Sequence, residues 1–379
     1  MWIRAVILVT MRLLHTSSFE LEEFLDERRP PYAILSHTWS GKEISFDDLS
    51  YRREAAMQME AFTKIEQCCK KAALEGYQYV WIDTCCIDKR NSTELSEAIN
   101  SMFKWYRKAS CCYAYLADVP EDCGSDRILE GDKRFARSRW FTRGWTLQEL
   151  LAPKRVKFLA RDWSELGTKE TLLDPIQKAT GIHVQVLKNI TWLKEFSIAQ
   201  RMSWAARRKT TRVEDKAYCL MGLFGINMPM LYGEGKKAFR RLQLELIREY
   251  NDPSLFAWRT QRGEWGLLAS SPVDFLESAN FIPISTGPLV APYAVTNLGL
   301  SIKVRICGRE EEGWATEKVV FLSCSYANGS SGSFWVGIYV RESGNGYYRI
   351  RCDELFLSEK RSNNLLPPKY EEKEIFITL

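Results

Sequence analysis

Along the first 165 or so residues, short apolar runs alternate with stretches of helical period. "YAILSHTW" (Tyr32 to Trp39) is a compact apolar run that ends in polar residues, the pattern of a buried strand. From about Glu54 to Glu75, Met59, Phe62, Ile65, Cys69 and Ala72 recur at spacings of three and four, with Gly76 as a stop. That spacing predicts one helix. "YQYVWID" (Tyr77 to Asp83) predicts a second strand. Leu95, Ala98, Ile99, Met102, Phe103 and Tyr106 then fall on one helical face, and Asn91 and Glu94 have the spacing of a capping pair. "CCYAYLADV" (Cys111 to Val119) reads as a third strand and "PEDCGSDRILEGDKR" as a polar loop. "FTRGWTLQELLAP" (Phe141 to Pro153) holds a short helix, and "RVKFLA" (Arg155 to Ala160) reads as a fourth strand. Alternation of strand and helix predicts a parallel sheet with covering helices. Ligands of such sheets sit at the carboxyl ends of the strands. That directs attention to Ser36–His37, Asp83–Thr84 and Asp118.

From about Asp162 to Tyr250 the pattern is mainly helical. Phe239, Leu242, Leu246 and Tyr250 mark an amphipathic helix preceded by the turn-rich "NMPMLYGEG". Beyond a boundary near Ala257 to Gly263 the pattern changes: "VVFLSCSY", "FWVGIYV" and "YYRIRC" are separated by turn-forming stretches and predict antiparallel hairpins. No internal repeat is visible. The opening "MWIRAVILVTMRLL" reads as an extension or a first strand. It has no small-residue cleavage site, which argues against a secretory signal, and Met11 offers a second start.

A length of 379 residues is enough for two domains, and 45% hydrophobic with 27% charged residues excludes disorder over most of the chain. The net charge of +5 is dispersed, with no basic arm, so charge makes no case for nucleic acid. The 13 tryptophans point to large aromatic cores or stacking surfaces. The 11 cysteines include the adjacent pairs Cys68–Cys69, Cys85–Cys86 and Cys111–Cys112. Their low density points to buried thiols in a reducing, cytoplasmic compartment. No apolar run approaches the ~18 residues that span a bilayer.

Four patterns bear on chemistry. "GEGKKA" (Gly233 to Ala238) fits a glycine-rich phosphate loop before a helix, but Pro229 stands where the preceding strand should be, which favours a plain loop. The three histidines, His15, His37 and His183, do not share ligand spacing, and the cysteine pairs lack zinc spacing, so no metal is expected. His37 with Cys85 or Cys86 has the residue types of a cysteine hydrolase, though nothing local lowers a thiol pKa. Trp145 and Glu149, four apart, share one helix face. Thr146 and Glu149 also have capping-box spacing, so a helix cap competes with a functional role.

"YAILSHTW", "YVWIDTCCIDK…ELSEAINSMFKWYRKASCCYAYLADV", "SRWFTRGWTLQELLAP…VKF" and "RMSWAARRKTTRVEDKAYCLMGLFGINMPMLYGEG" together resemble the fungal heterokaryon incompatibility (HET) domain family. The resemblance implies a domain over 11–256, with a core at about 30–165 and a helical extension at about 166–256. A β-rich region of unassigned role follows over 257–379. That family is regarded as a distant relative of TIR domains. The implied fold class is therefore α/β, with a TIR-like (flavodoxin-like) parallel sheet, covering helices and a C-terminal antiparallel region. TIR domains that hydrolyse NAD carry a tryptophan, three residues and a catalytic glutamate after the third strand, a frame that "RGWTLQEL" supplies as Trp145, which either packs against the nucleotide or anchors the helix, and Glu149. Ser36 and His37 match the first-strand turn and Asp83 the end of the second strand, as nucleotide-binding positions. The usual aromatic and arginine of that turn are replaced by His37 and Trp39.

The resemblance thus implies a non-self-recognition and programmed-cell-death effector that cleaves NAD as substrate, with Glu149 catalytic and no resident cofactor. The alternative is a non-enzymatic signalling module that acts by self-association. Implied partners are further copies of itself on activation and NOD-like or other incompatibility proteins, with no nucleic acid and no membrane.

Overall fold

The computed structural model describes residues 10–25, 27–39, 41–189, 193–263, 266–284, 292–308, 317–327, 333–344, 346–359 and 370–379. They fall into two compact units, Met1–Thr191 with Asn227–Met230, and Trp192–Ile226 with Leu231–Leu379. The division at Thr191 lies inside the region that the resemblance treats as one domain.

In the first unit, β1 (Thr10–His15), β2 (Leu21–Leu25), β3 (Tyr32–His37), β4 (Tyr79–Trp81), β5 (Cys111–Tyr115), β6 (Val156–Leu159) and β7 (Glu165–Thr168) form a sheet in the order β2-β1-β4-β3-β5-β6-β7. The neighbours β4/β3, β3/β5 and β5/β6 are parallel, as the sequence pattern predicts. The edges are not: β1 runs antiparallel to both β2 and β4, and β7 is antiparallel to β6. The sheet is therefore mixed. The edge pairs β1/β2 and β6/β7 have short connections, whereas a parallel neighbour needs a long crossover. Residues 1–9, the start of the predicted N-terminal strand, lie outside the described residues.

All six residues of β3 are buried. A central parallel strand is covered on both faces, so it reads as a continuous apolar run rather than an alternation. Its place in the sheet is the point where the connections change direction. The chain passes from β3 to β4 on one side, then to β5 on the other. A crevice at such a reversal is where open α/β sheets bind ligands.

The helices of this unit are α1 (Phe46–Tyr51), α2 (Arg53–Met57), α3 (Phe62–Leu74), α4 (Ser92–Lys108), α5 (Ser125–Leu129), α6 (Lys133–Ala136), α7 (Thr146–Leu151), α8 (Leu173–Thr180) and α9 (Val184–Leu187). The single helix expected over Glu54 to Glu75 is two, α2 and α3. Ala56 and Phe62 are buried six positions apart, out of phase with a 3.6-residue period, so one straight helix would not bury both on one face. The segment read as a polar loop contains α5 and the start of α6; each helix buries a single residue, Ile128 or Phe135, too few to show a period. Asn91 does cap α4, accepting from the amides of Thr93 and Glu94. The Glu94 carboxylate instead accepts from the Asp88 amide and Arg12, so only half of the capping box forms.

In the second unit, α10 (Ile198–Ala205), α11 (Asp215–Tyr218), α12 (Met221–Phe224) and α13 (Lys237–Glu249) precede an eight-stranded sheet. Its strands are β8 (Phe281–Pro283), β9 (Ala294–Thr296), β10 (Gly299–Gly308), β11 (Glu317–Ala327), β12 (Ser333–Ser343), β13 (Gly346–Arg349), β14 (Phe356–Glu359) and β15 (Glu371–Ile377). The predicted hairpins are β11/β12 and β12/β13. Pairing of β12 with both β13 and β11 closes a barrel-like ring through β15 and β10. Closure of this kind removes open strand edges. Helix α10 belongs to this unit because Ser197, its cap, donates to the carbonyl of Phe281 at 2.7 Å. Arg349, fully buried, donates to the carbonyls of Phe256 and Trp258, and its guanidinium lies 3.9 Å from the Trp258 ring centre.

Candidate functional site

Successive residues of a strand point to opposite faces. Ser36 and His37, adjacent at the carboxyl end of β3, therefore diverge. Ser36 faces α7: its hydroxyl donates to Glu149 Oε2 at 2.5 Å and accepts from the indole Nε1 of Trp140 at 2.8 Å. Ser36 is 0% exposed, Trp140 1% and Glu149 7%. Tyr106 of α4 closes the same side and donates to the carbonyl of Leu35 at 2.9 Å. Burial pushes the Tyr106 phenol well above its ordinary value, and nearby Glu149 pushes it further. Gln148 meets the Met102 sulfur and joins α7 to α4.

Two features of the chain deliver Glu149 to this spot. The 3-10 turn Arg139–Thr142 is tied down by Asp118, which accepts from the Ser138 hydroxyl at 2.7 Å and from the Arg139 amide at 2.8 Å. The Thr146 hydroxyl then donates back to the carbonyls of Trp140 and Arg143. Thr146 lies inside α7, and the cap position belongs to Trp145, which makes no side-chain cap. The capping-box reading of Thr146 and Glu149 thus fails, because both side chains have other partners. Trp145 itself is half-buried.

His37 faces the other way. Its ring is buried, with Nδ1 3.9 Å from Asp83 and Nε2 3.9 Å from Glu43, both too long for hydrogen bonds. Burial lowers the imidazole pKa, an effect only partly opposed by Asp83 and Glu43, so the ring is neutral at pH 7. Asp83 accepts from the indole of Trp39 at 3.0 Å. Trp39 is 54% exposed, with the Lys89 ammonium 3.9 Å from its ring centre. Glu43 accepts from Lys64 at 2.6 Å. The fold thus brings four of the five sequence candidates to the carboxyl edge of β3 and β4 in two groups, with the fifth, Trp145, at the start of α7. Ser36 and Glu149 meet directly, whereas His37 and Asp83 lie with Glu43 and Trp39.

No sequence pattern marks Trp140 or Glu43 as part of a site. Trp140 and its partner Ser36 are 104 positions apart, and no local pattern signals such a contact. Tyr106 was legible only as part of the apolar stripe of α4.

Two competing chemistries lose support. The amides of Gly233 and Gly235 both donate to the Glu214 carboxylate, at 2.9 and 3.0 Å, so an internal carboxylate holds the place that a phosphate would take in a glycine-rich loop. Cys85 and Cys86 are buried, and a hydrogen bond with Cys86 together with burial drives the Cys85 thiol well above its ordinary pKa, the reverse of nucleophile activation. Among the described residues no group of three histidine, cysteine or acidic side chains is placed to hold a metal ion, and no helix is long and apolar enough to cross a membrane.

Residues 32–129, from β3 through α5, match the heterokaryon incompatibility protein (HET) family. The match ends before Trp140, Trp145 and Glu149. The vegetative incompatibility protein HET-E-1 of Podospora anserina is 43% identical over 267 residues, which are 66% of this chain and 19% of that protein. The chain thus spans about a fifth of the length of that relative. No solved structure matches. On the family match and this identity together, the chain carries a heterokaryon incompatibility (HET) domain.

Proposed function

We propose that the first unit cleaves the nicotinamide–ribose bond of NAD as an effector of non-self recognition and cell death, with Glu149 as the catalytic residue. The observation that carries this reading is the position of Glu149. It is a buried carboxylate beside the carboxyl end of β3, where the strand connections reverse. The order β4-β3-β5-β6 is the 2-1-3-4 order of flavodoxin-like sheets, which supports the likeness to TIR domains.

The chemistry suits one carboxylate. When the C–N bond breaks, its electron pair neutralises the pyridinium, so nicotinamide leaves without a general acid. The ribose is left as an oxocarbenium-like cation. A preorganised carboxylate stabilises that charge, as one of the paired carboxylates of a glycosidase does. Water then bonds to the anomeric carbon and releases a proton, giving ADP-ribose. His37 and Asp83, at the carboxyl ends of β3 and β4, and Trp145, at the start of α7, would contact the nucleotide. The free state of all eleven cysteines supports a reducing, cytoplasmic setting.

Nicotinamide release by the purified full chain, with and without forced clustering, tests the proposal. Glu149→Gln is expected to lower it by about a hundredfold, the scale of losing one electrostatic stabiliser, with the fold retained. Equal release by both proteins overturns it.

One observation favours a second reading. Glu149 is 7% exposed and its carboxylate is engaged by Ser36, which also suits a structural acid in a module that signals by self-association with like copies or NOD-like partners. Cell death triggered equally by wild type and Glu149→Gln supports that reading.

A further inference from the structure

We infer that Trp140 is a positioning residue for Glu149 and acts through Ser36; the inference deepens the proposed active site and rests on it only for its catalytic consequence. The argument is one of donor and acceptor inventory. An indole N–H is a donor and never an acceptor. Its bond to Ser36 Oγ therefore has one direction, and the oxygen of Ser36 is the acceptor. Ser36 owns one proton, and among the described residues the Glu149 carboxylate is the acceptor that proton meets. Were Glu149 Oε2 to donate instead, the Ser36 hydroxyl proton would be buried with no acceptor among the described residues, which carries the desolvation penalty of an unsatisfied donor.

The chain Trp140 N–H to Ser36 O–H to Glu149 Oε2 is thus polar in one sense. It orients the carboxylate with Oε2 turned to β3 and used as an acceptor. The chain is buried, and hydrogen bonds in series strengthen one another where water is excluded. Trp140 is itself locked. Its ring packs edge-on against Phe141 and Phe158, and its carbonyl accepts from Thr146 at the start of the helix that carries Glu149. The same residue therefore sets both the backbone entry to α7 and the side-chain orientation of Glu149. The orienting hydroxyl comes from β3, outside the glutamate's own helix.

The test uses the full chain with tryptophan labelled at the indole nitrogen. Trp140→Phe, which keeps an aromatic ring but removes the N–H, identifies the Trp140 indole signal by its loss. Ser36→Ala is expected to shift that signal upfield and speed its solvent exchange at least tenfold. Glu149→Ala is expected to move it in the same direction, although Glu149 does not touch the indole. An indole signal unmoved in Glu149→Ala overturns the relay. In the NAD assay, Trp140→Phe is expected to lose about tenfold in kcat with KM unchanged, since a misaligned carboxylate fails in the transition state rather than in binding. An unchanged kcat in a wild type that turns over NAD overturns the positioning role. If wild type releases no nicotinamide while the indole signal still responds to Glu149→Ala, the NAD reading falls and the relay stands. If Trp140→Phe does not fold, the Ser36→Ala and Glu149→Ala shifts decide the relay, and the kcat of Ser36→Ala decides its catalytic consequence.

Discussion

The hydroxyl of Ser36 lies 2.5 Å from the carboxylate of Glu149, joining β3 to a helix 113 positions later in the chain. This contact fixes where the acid of α7 faces. It is also why a glutamate in the first turn of a short helix is not a cap here. Both readings of the protein, enzyme and self-associating module, have to accommodate a buried carboxylate held by a serine.

Asp118 supports this contact from a distance, because it anchors the turn that carries Trp140. Asp118→Ala removes a charged acceptor from one hydroxyl and one amide, and should destabilise the first unit by about 2 kcal/mol. Urea denaturation followed by tryptophan fluorescence reads this directly. A midpoint equal to wild type would show that the turn holds without it.

Glu214 gives the second unit a dependence on acid. Its pKa is lowered by its own amide and by those of Gly233 and Gly235. A carboxyl depressed in the folded state contributes stability above its unfolded pKa of about 4.3, and that stability drains as pH falls through the lower folded value. Thermal unfolding of wild type and Glu214→Gln should therefore differ most near pH 7 and converge as pH falls through the lowered folded value. A gap independent of pH would rule out the amide contacts as its source.

Lys169 has the opposite dependence. It is buried against the carbonyls of Pro153 and Leu150, and burial lowers its pKa to about 8. Between pH 8 and the unfolded value near 10.4 the unfolded chain binds the extra proton, so stability from this group rises with pH. The full span is about 3 kcal/mol at 1.36 kcal/mol per unit. Lys169→Met should flatten that rise in denaturation curves taken from pH 7 to 10. A wild type and variant that climb in parallel would contradict it.

The thiols offer a check on the discarded cysteine chemistry. Ten of the eleven cysteines are buried and Cys307 is half-buried. Iodoacetamide labelling of the native chain, mapped by mass spectrometry, should reach Cys307 first and leave Cys85 and Cys86 unmodified until the protein unfolds. Early labelling of Cys85 would restore a cysteine nucleophile to consideration.

Much of the architecture follows from local sequence. The apolar run of β3 and the 3.6-residue stripe of α4 are decided by which side chains leave water, and that is legible from spacing alone. The antiparallel hairpins of the C-terminal region are equally local, because turn-forming residues separate their strands. The sequence pattern also places Glu149 on a short helix after the third parallel strand. Tertiary structure alone decided the rest. The edges β1, β2 and β7 pair through backbone groups that carry no side-chain signature. The cap of α7 passed from Thr146 to Trp145 because Thr146 found carbonyl partners in the preceding turn. Ser36 and His37, neighbours in sequence, were sent to opposite faces by the pleat of one strand. Trp140 became the partner of Ser36 because the fold closes a gap of 104 residues, a distance over which no periodicity carries information.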